Sequence, residues 1–268
     1  MELNSKLDFL FWTASFLFGL AIGSFLNVAI WRWPRKESII TPGSHCPKCH
    51  HPIAWYDNLP ILSFVLLGGK CRHCQGKISL RYPLIELLSG ILSVIAFWCF
   101  GPSKWYLVYY AFLASLLTAS IIDLEHRLIP DEISIGGAVI AMGLSFLPGK
   151  KIAVFDSLVG AGAGFLILFL VAEVYYLITR REGMGLGDAK LLAMIGAFLG
   201  FRSLPLIIFI GPLLGAIIGI FFIVLSKEGR FYKIPFGPFL SLAGLVYLII
   251  WSKNFHLPLG AFNRWFGI

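Results

Sequence analysis

Charged residues are scarce in this sequence. They make up 13% of its 268 residues, whereas soluble domains carry roughly 25%. Hydrophobic residues account for 58% of the chain and recur in many separate segments, which one soluble core cannot bury. The composition therefore excludes a single soluble globular domain. The chain also lacks a basic amphipathic helix or a nucleic-acid reader motif, so we do not attribute its net charge of +8 to nucleic-acid binding.

No small-residue cleavage site follows the first apolar stretch, residues 9–33, and the residues before it include Lys6 and two acids. A secretory signal peptide has a basic start and such a cleavage site. We therefore expect residues 9–33 to form a retained first helix.

Eight hydrophobic segments follow one another along the chain, separated by glycine and proline. They span residues 9–31, 83–100, 105–122, 132–147, 154–178, 189–201, 204–225 and 236–251. A membrane-spanning helix needs about 20 apolar residues, so the fourth and sixth segments are the weakest. The pattern predicts an all-α membrane protein, a polytopic bundle of about eight transmembrane helices.

Lysine and arginine set the expected orientation of this bundle. With eight spans, fifteen of the 22 basic residues fall on one side, and eight of those lie in the loop 32–82. Because basic residues concentrate in cytoplasmic loops, we expect this loop to be cytoplasmic and both termini to face outward.

Small residues recur at four-residue spacing, which lets helix backbones approach closely. The sets are Gly19 and Gly23, Gly160 and Gly164, and Gly211, Gly215 and Gly219. We favour packing within one bundle over a dimer interface, and the oligomeric state stays open.

Four of the five cysteines form two Cys-x-x-Cys pairs, Cys46 with Cys49 and Cys71 with Cys74, separated by 21 residues. Two such pairs at this spacing are typical of zinc sites, and four sulfur ligands close the coordination shell of a structural ion. A reducing cytoplasmic loop disfavours disulfides. We therefore predict a zinc-ribbon-like loop. Four histidines in the same loop are interpreted as solvated turn residues, with replacement of a ligand as the alternative: His45, His50, His51 and His73.

Acidic residues within or beside membrane segments are costly and mark functional sites. The candidates are Glu86, Asp123, Asp131, Asp156, Glu173 and Asp188. Asp131 and Asp156 suit helix N-caps. Asp123 instead follows the apolar run 113–122 at a helix C-terminus, where a carboxylate opposes the helix dipole. Capping therefore does not explain Asp123.

Alternating glycines precede Asp188 in the stretch Gly183-Met184-Gly185-Leu186-Gly187-Asp188. Glycine permits close backbone approach, and an extended segment can pair with a bound peptide. We expect Gly185 and Gly187 to position a substrate peptide beside Asp188.

Asp123 and Asp188 both fall at the cytoplasmic boundary in the predicted topology. Two neighbouring carboxyl groups in a low dielectric share one proton, so that one activates a water molecule and the other polarises a carbonyl. The sequence lacks the Gly-x-Ser-x-Gly and His-Glu-x-x-His motifs of common serine and zinc proteases. These features favour an aspartyl protease.

The order of motifs closely resembles that of the type IV prepilin peptidase family over nearly the whole chain. The matching stretches are Gly23 to Val28 with Arg32, the two cysteine pairs, Trp55 to Pro60, Ile78-Ser79, Arg81-Tyr82-Pro83 with Glu86, Asp123-Leu124, Ile129-Pro130-Asp131 and Gly185 to Lys190. The resemblance implies a Gly-x-Gly-Asp intramembrane aspartyl protease with Asp123 and Asp188 as its catalytic pair.

The resemblance also implies a location in the bacterial cytoplasmic (inner) membrane. There the protein would cleave the basic leader of prepilins or pseudopilins at the cytoplasmic face. The resemblance further implies methylation of the new N-terminus with S-adenosyl-L-methionine, although the methyl-donor site cannot be placed. Gly23 to Asn27, the 42–82 loop and Glu86 are candidates for that site. The expected domains are a first helix (1–33), the four-cysteine loop (34–82) and the protease core (83–268). The alternatives are a peptidase without methylation, an ion transporter using the intramembrane carboxylates, and a membrane scaffold.

Overall fold

The computed structural model describes residues 2–149, 151–180, 184–226 and 235–253, without the side chains of residues 2–8 and 222–226. Gly183 of the glycine motif lies outside these ranges. Within them the chain forms nine α-helices and no strand beyond isolated bridges. The helices are α1 (Glu2–Arg32), α2 (Leu62–Leu66), α3 (Arg81–Phe100), α4 (Lys104–His126), α5 (Asp131–Leu144), α6 (Val154–Thr179), α7 (Leu186–Leu199), α8 (Leu204–Ser226) and α9 (Gly237–Ser252).

Each of the eight hydrophobic segments coincides with a helix, since α2 is the short helix of the cysteine loop. A helix satisfies all its backbone hydrogen bonds within one segment, as lipid requires. Five stretches are long and apolar enough to cross a membrane: Phe9–Arg35, Arg81–Phe100, Lys104–His126, Val154–Thr179 and Phe201–Phe221. The prediction of an all-α, multi-pass membrane protein is confirmed.

The chain divides into two compact units, Met1–Ala114 and Ser115–Ile268. In the first unit, α1 and α3 pack through small residues. A Cβ atom on Gly19 would lie 2.6 Å from Cβ of Ser93, so only glycine fits there. The hydroxyl of Ser89 in α3 donates a hydrogen bond to the carbonyl of Gly19 in α1 (2.8 Å), so the close approach also allows a bond between the two helices.

In the second unit, α7 is the central helix, and α5, α6 and α9 pack against it. Its 14 residues are mostly buried, which explains how a helix shorter than a membrane span can be apolar on all sides. Added Cβ atoms on Gly160 and Gly164 of α6 would collide with the backbone of Gly196 and Leu192. The four-residue glycine spacing in α1 and α6 therefore serves packing within the chain, as predicted.

Two predicted helix caps are wrong. Helix α5 has Pro130 at its N-cap, and Asp131 is the first helical residue without a capping hydrogen bond. Helix α6 begins two residues before Asp156, with Ala153 at the N-cap. Both acids lie in a first turn, where a negative charge still interacts favourably with the helix dipole.

Candidate active site and candidate metal centre

Asp123 lies in the last turn of α4, and the residue is only 5% exposed. The helix ends soon after, because Arg127 adopts a left-handed conformation (φ 54°) while its amide donates to the carbonyl of Asp123 at 2.9 Å. A buried carboxylate at a helix C-terminus needs hydrogen-bond donors from elsewhere in the fold.

Gly237 supplies such a donor. Its backbone N–H donates to Oδ2 of Asp123 across 2.9 Å, from the first residue of α9. A Cβ atom at this position would lie 2.8 Å from the same oxygen, so glycine is the residue that allows the amide to approach. The sequence prediction did not include Gly237. The sequence feature that could have indicated Gly237 is the stretch Pro235-Phe236-Gly237-Pro238. This stretch separates two apolar segments, and glycine is its sole small residue.

Asp188 lies in the first turn of α7, which has Gly185 at its N-cap. The residue is 9% exposed, and the amide N–H of Asp188 donates to the carbonyl of Gly185 at 3.2 Å. The positive end of the helix dipole favours a negative charge at this position.

The two aspartates lie in the same unit, Ser115–Ile268. Ile129 packs against the start of α7, which carries Asp188, and the start of α9, whose amide bonds to Asp123, because Cβ atoms on Gly187 and Gly237 would each lie 3.2 Å from its side chain. Only Glu86, Asp123 and Asp188 among the acids of the described ranges are buried. A buried carboxyl pair is suited to sharing one proton.

The two glycines beside Asp188 differ in conformation. Gly185 is exposed and extended (φ −80°, ψ 148°), and a Cβ atom there would meet no side chain. Gly187 is already helical and faces Ile129. Extended backbone next to the acid is therefore present at Gly185, whereas Gly187 allows close packing.

An ion pair joins the starts of two helices near this site. Nζ of Lys190 in α7 lies 2.7 Å from Oδ1 of Asp131 in α5. Asp131 is thus a partner of Lys190. Glu173 is exposed on α6, and Glu86 accepts a hydrogen bond from the amide of Ile61.

The two cysteine pairs fold into matching turns within the unit Met1–Ala114. In the first turn, the amide of Cys46 donates a hydrogen bond to the carbonyl of His51, and the carbonyl of Cys46 accepts one from the amide of His50, both at 2.9 Å. In the second turn, Cys71 makes the same two bonds with Gly76 and Gln75, at 2.9 and 3.0 Å. His50 and Gln75, at equivalent positions, both have positive φ angles of 56° and 55°.

The four sulfur atoms lie within 4.8 Å of one another, so Cys46, Cys49, Cys71 and Cys74 form a cluster capable of holding a metal ion. The Sγ atoms of Cys46 and Cys74 are 3.9 Å apart. Ligands about 2.3 Å from a tetrahedral zinc ion would lie about 3.8 Å from each other, so the cluster fits that geometry.

Backbone amides favour a thiolate at Cys46. Burial raises the pKa of this thiol, but hydrogen bonds from the amides of Cys49 and Lys48 and from the thiols of Cys49 and Cys71 lower the pKa to about 6. The loop between the turns is tied to the second turn by Arg72, which donates two hydrogen bonds to Asp57, at 2.6 and 2.8 Å. This contact lowers the pKa of Asp57.

Comparison with known proteins covers nearly the whole chain. Residues 17–100 match the bacterial peptidase A24 N-terminal domain, and residues 110–220 match the type IV leader peptidase family. The prepilin leader peptidase/N-methyltransferase of Aeromonas salmonicida (strain A449) is 38% identical over 280 aligned positions, covering 95% of each chain. No solved structure matches.

Two further relatives carry the same name. The protein from Neisseria gonorrhoeae is 38% identical over 253 positions, covering 85% of this chain and 86% of the relative. The protein from Pseudomonas aeruginosa is 36% identical over 256 positions, covering 87% and 88%. With these matches and a buried aspartate pair in a multi-pass bundle, the chain belongs to the type IV leader peptidase family.

Proposed function

We propose that this protein removes the leader peptide of type IV prepilins or pseudopilins and methylates the new N-terminal residue. Asp123 and Asp188 are the catalytic pair. The observation that carries this proposal is the pair itself: both aspartates are buried in one unit of a membrane protein, and the segments beside them meet at the side chain of Ile129. Relatives named for both activities support it over most of their length.

The chemistry follows from two carboxyl groups that share one proton. The ionised carboxylate takes a proton from a water molecule as the water oxygen attacks the carbonyl carbon of the scissile peptide bond. The protonated carboxyl donates its proton to the carbonyl oxygen. Proton return to the leaving amine then breaks the C–N bond. No covalent enzyme intermediate is required.

The glycines before Asp188 position the substrate in this proposal. A peptide bond in a helix is inaccessible to a nucleophile, so the cleavage site must be held extended. Gly185 offers exposed, extended backbone three residues before Asp188. Gly187 allows the first turn of α7 to pack against Ile129, which keeps the acid close to the docking segment.

The loop 34–82 holds a structural zinc ion through Cys46, Cys49, Cys71 and Cys74. The sulfur geometry supports four-coordinate binding with no open position, so the ion stabilises the loop and does not bind substrate. S-adenosyl-L-methionine supplies the methyl group, which its sulfonium makes electrophilic.

We further propose that this loop and the aspartate pair face the cytoplasm. The basic residues of the loop support this orientation, since such residues concentrate on the cytoplasmic side. A basic leader would then stay at the anionic inner surface while the apolar pilin helix remains in lipid. Its cleavage site would meet Asp123 and Asp188 at that boundary.

The decisive experiment incubates the purified protein with a prepilin and S-adenosyl-L-methionine. Intact mass then reports leader loss and the addition of one methyl group. Asp123→Asn and Asp188→Asn should each reduce leader loss at least a thousandfold, because neither amide can exchange a proton as the carboxyl pair does.

Asp156→Asn is the matched control. It makes the same change in the same unit, at a first-turn acid of α6, and should retain cleavage. Normal cleavage by either catalytic variant would overturn the assignment. If the unmodified protein removed the leader but transferred no methyl group, the protein would be a peptidase without methyltransferase activity.

A further inference from the structure

A cavity of about 300 Å³ lies in the unit Met1–Ala114, between α1 and the loop that follows it. One face of α1 forms a long wall, in which Ala21, Phe25, Val28 and Arg32 follow one another at the spacing of successive helical turns. With a helical rise of about 1.5 Å per residue, this wall is about 16 Å long. The cavity therefore extends along a helix that is apolar and long enough to cross a membrane.

Arg32 is the one charged residue that lines this cavity. The residue is 6% exposed, and its guanidinium donates to two loop carbonyls, those of Ser38 (3.0 Å) and Gly43 (3.3 Å). A guanidinium has five N–H donors, so two carbonyls do not use them all. Within the described ranges no carboxylate lies at salt-bridge distance from Arg32. A buried positive charge without a counter-charge is costly, so the cavity favours an anionic ligand.

Trp31, the residue before Arg32, indicates the depth of this charge in a membrane. Its ring is exposed and lies under the guanidinium of Arg35, with 3.7 Å between Cζ and the ring centroid. Tryptophan is enriched where the lipid tails meet the polar headgroups, since its ring is amphipathic. Arg32 therefore lies at the level of the headgroups, where phospholipids carry their phosphates.

The other end of the wall is apolar and lies deeper in the span. Ala21 and Phe25 are exposed residues of the stretch Phe9–Arg35, which is apolar enough to cross a membrane. Exposed side chains at that depth face acyl chains. A ligand that binds Arg32 through an anionic group can thus leave an apolar tail along α1 in the bilayer. A soluble anion would use only the polar end of the cavity.

We propose that this cavity binds the headgroup of an anionic phospholipid, with Arg32 on the phosphate and one acyl chain along Ala21 and Phe25. Ser44 and Asn58 also line the cavity and offer hydroxyl and amide donors to phosphate or ester oxygens. No acid lines it, so the amine of a zwitterionic headgroup finds no counter-charge there. The site lies in the first unit and requires neither the aspartate pair nor methyl transfer, so it goes beyond the proposed function.

Titration of the purified full-length protein with phosphatidylglycerol, followed by native mass spectrometry, tests the proposal. The unmodified protein should bind one phosphatidylglycerol at least tenfold more tightly than phosphatidylcholine with the same acyl chains. Arg32→Gln removes the charge but keeps an amide for the loop carbonyls, and Val28→Trp fills the cavity without a change of charge. Each should raise the Kd for phosphatidylglycerol at least tenfold, because the charge-assisted contact or the space for it is lost.

Arg35→Gln is the matched control. Arg35 is exposed near the same helix end and does not line the cavity, so this variant loses the same charge outside the site. Its Kd should stay within twofold of that of the unmodified protein. Thermal unfolding of each variant shows whether it is folded.

Three outcomes of the titration would overturn the proposal. The first is unchanged affinity for phosphatidylglycerol in folded Arg32→Gln and Val28→Trp proteins. The second is equal binding of phosphatidylcholine, because the site would then not recognise an anionic headgroup. The third is displacement of the lipid by inorganic phosphate, which would show that the site takes a free anion.

A second measurement uses the unmodified protein alone, so it does not depend on the folding of a variant. Phosphatidylglycerol with a photoreactive acyl chain, in vesicles that also contain phosphatidylcholine, should crosslink to α1 at Ala21 or Phe25. Excess unlabelled phosphatidylglycerol should suppress this crosslink. Crosslinks that fall only on other helices would overturn the proposal.

Discussion

The backbone amide of Gly237 donates a hydrogen bond to Oδ2 of Asp123, a residue 114 positions earlier in the chain. This bond brings the start of α9 to the end of α4 and supplies a donor to a carboxylate whose own helix terminus disfavours negative charge. The environment of one predicted catalytic residue therefore depends on a residue that carries no reactive group.

Gly237→Ala should reduce leader cleavage at least tenfold. The added Cβ would lie 2.8 Å from Oδ2 of Asp123, closer than a real Cβ contact allows, so the carboxylate or the start of α9 must shift. Cleavage of a prepilin by the purified variant measures the effect. Gly244→Ala in the same helix is the control, because its Cβ would make ordinary contacts of 3.4 Å or more. Equal activity of the two variants would contradict the positioning role.

Gly160→Ala should destabilise the second unit, whereas Gly162→Ala should not. A Cβ on Gly160 would collide with the carbonyl of Gly196 in α7, and overpacking of this kind costs about 1–3 kcal/mol. Gly162 faces open space in the same helix, where alanine is favoured over glycine by about 0.5–1 kcal/mol. Thermal unfolding in detergent should show a lower Tm for Gly160→Ala only. An unchanged Tm for Gly160→Ala would indicate that α6 and α7 do not pack closely at this position.

The purified protein should contain about one zinc ion per chain, as measured by metal analysis. Cys46→Ser and Cys71→Ser should each lose it, because three sulfurs no longer close the coordination shell. Cys99→Ser should retain the metal, since Cys99 is outside the cluster. Methyl transfer should fall before leader cleavage does, because the cysteines and the aspartates belong to different units. Equal loss of both activities would show that the metal supports the whole fold.

A membrane-impermeant maleimide should distinguish the two faces of the membrane in spheroplasts. Ser103→Cys, in the exposed connection between α3 and α4, should be labelled from outside. Arg35→Cys, which is exposed at the start of the loop, should be labelled only after lysis. The opposite pattern would reverse the orientation inferred from the basic residues.

The helices were predictable because lipid allows few alternatives: every apolar segment must satisfy its own backbone. The cysteine turns were predictable because a four-residue motif contains both ligands of each turn. The assignment of Asp131 and Asp156 as N-caps was wrong because residue type alone does not show whether a helix begins at an acid or before it. Helix α6, for example, begins at Val154, two residues before Asp156.

The sequence by itself determined the features that depend on residues close together in the chain. These are the segments that are helical, the residues that can ligate a metal, and the acids that lie at helix ends. Tertiary structure alone decided which of six candidate acids are buried and that Gly237 reaches Asp123. The physical reason is that burial, hydrogen bonding and charge pairing depend on distances between residues far apart in the chain. Only the packing of helices sets those distances.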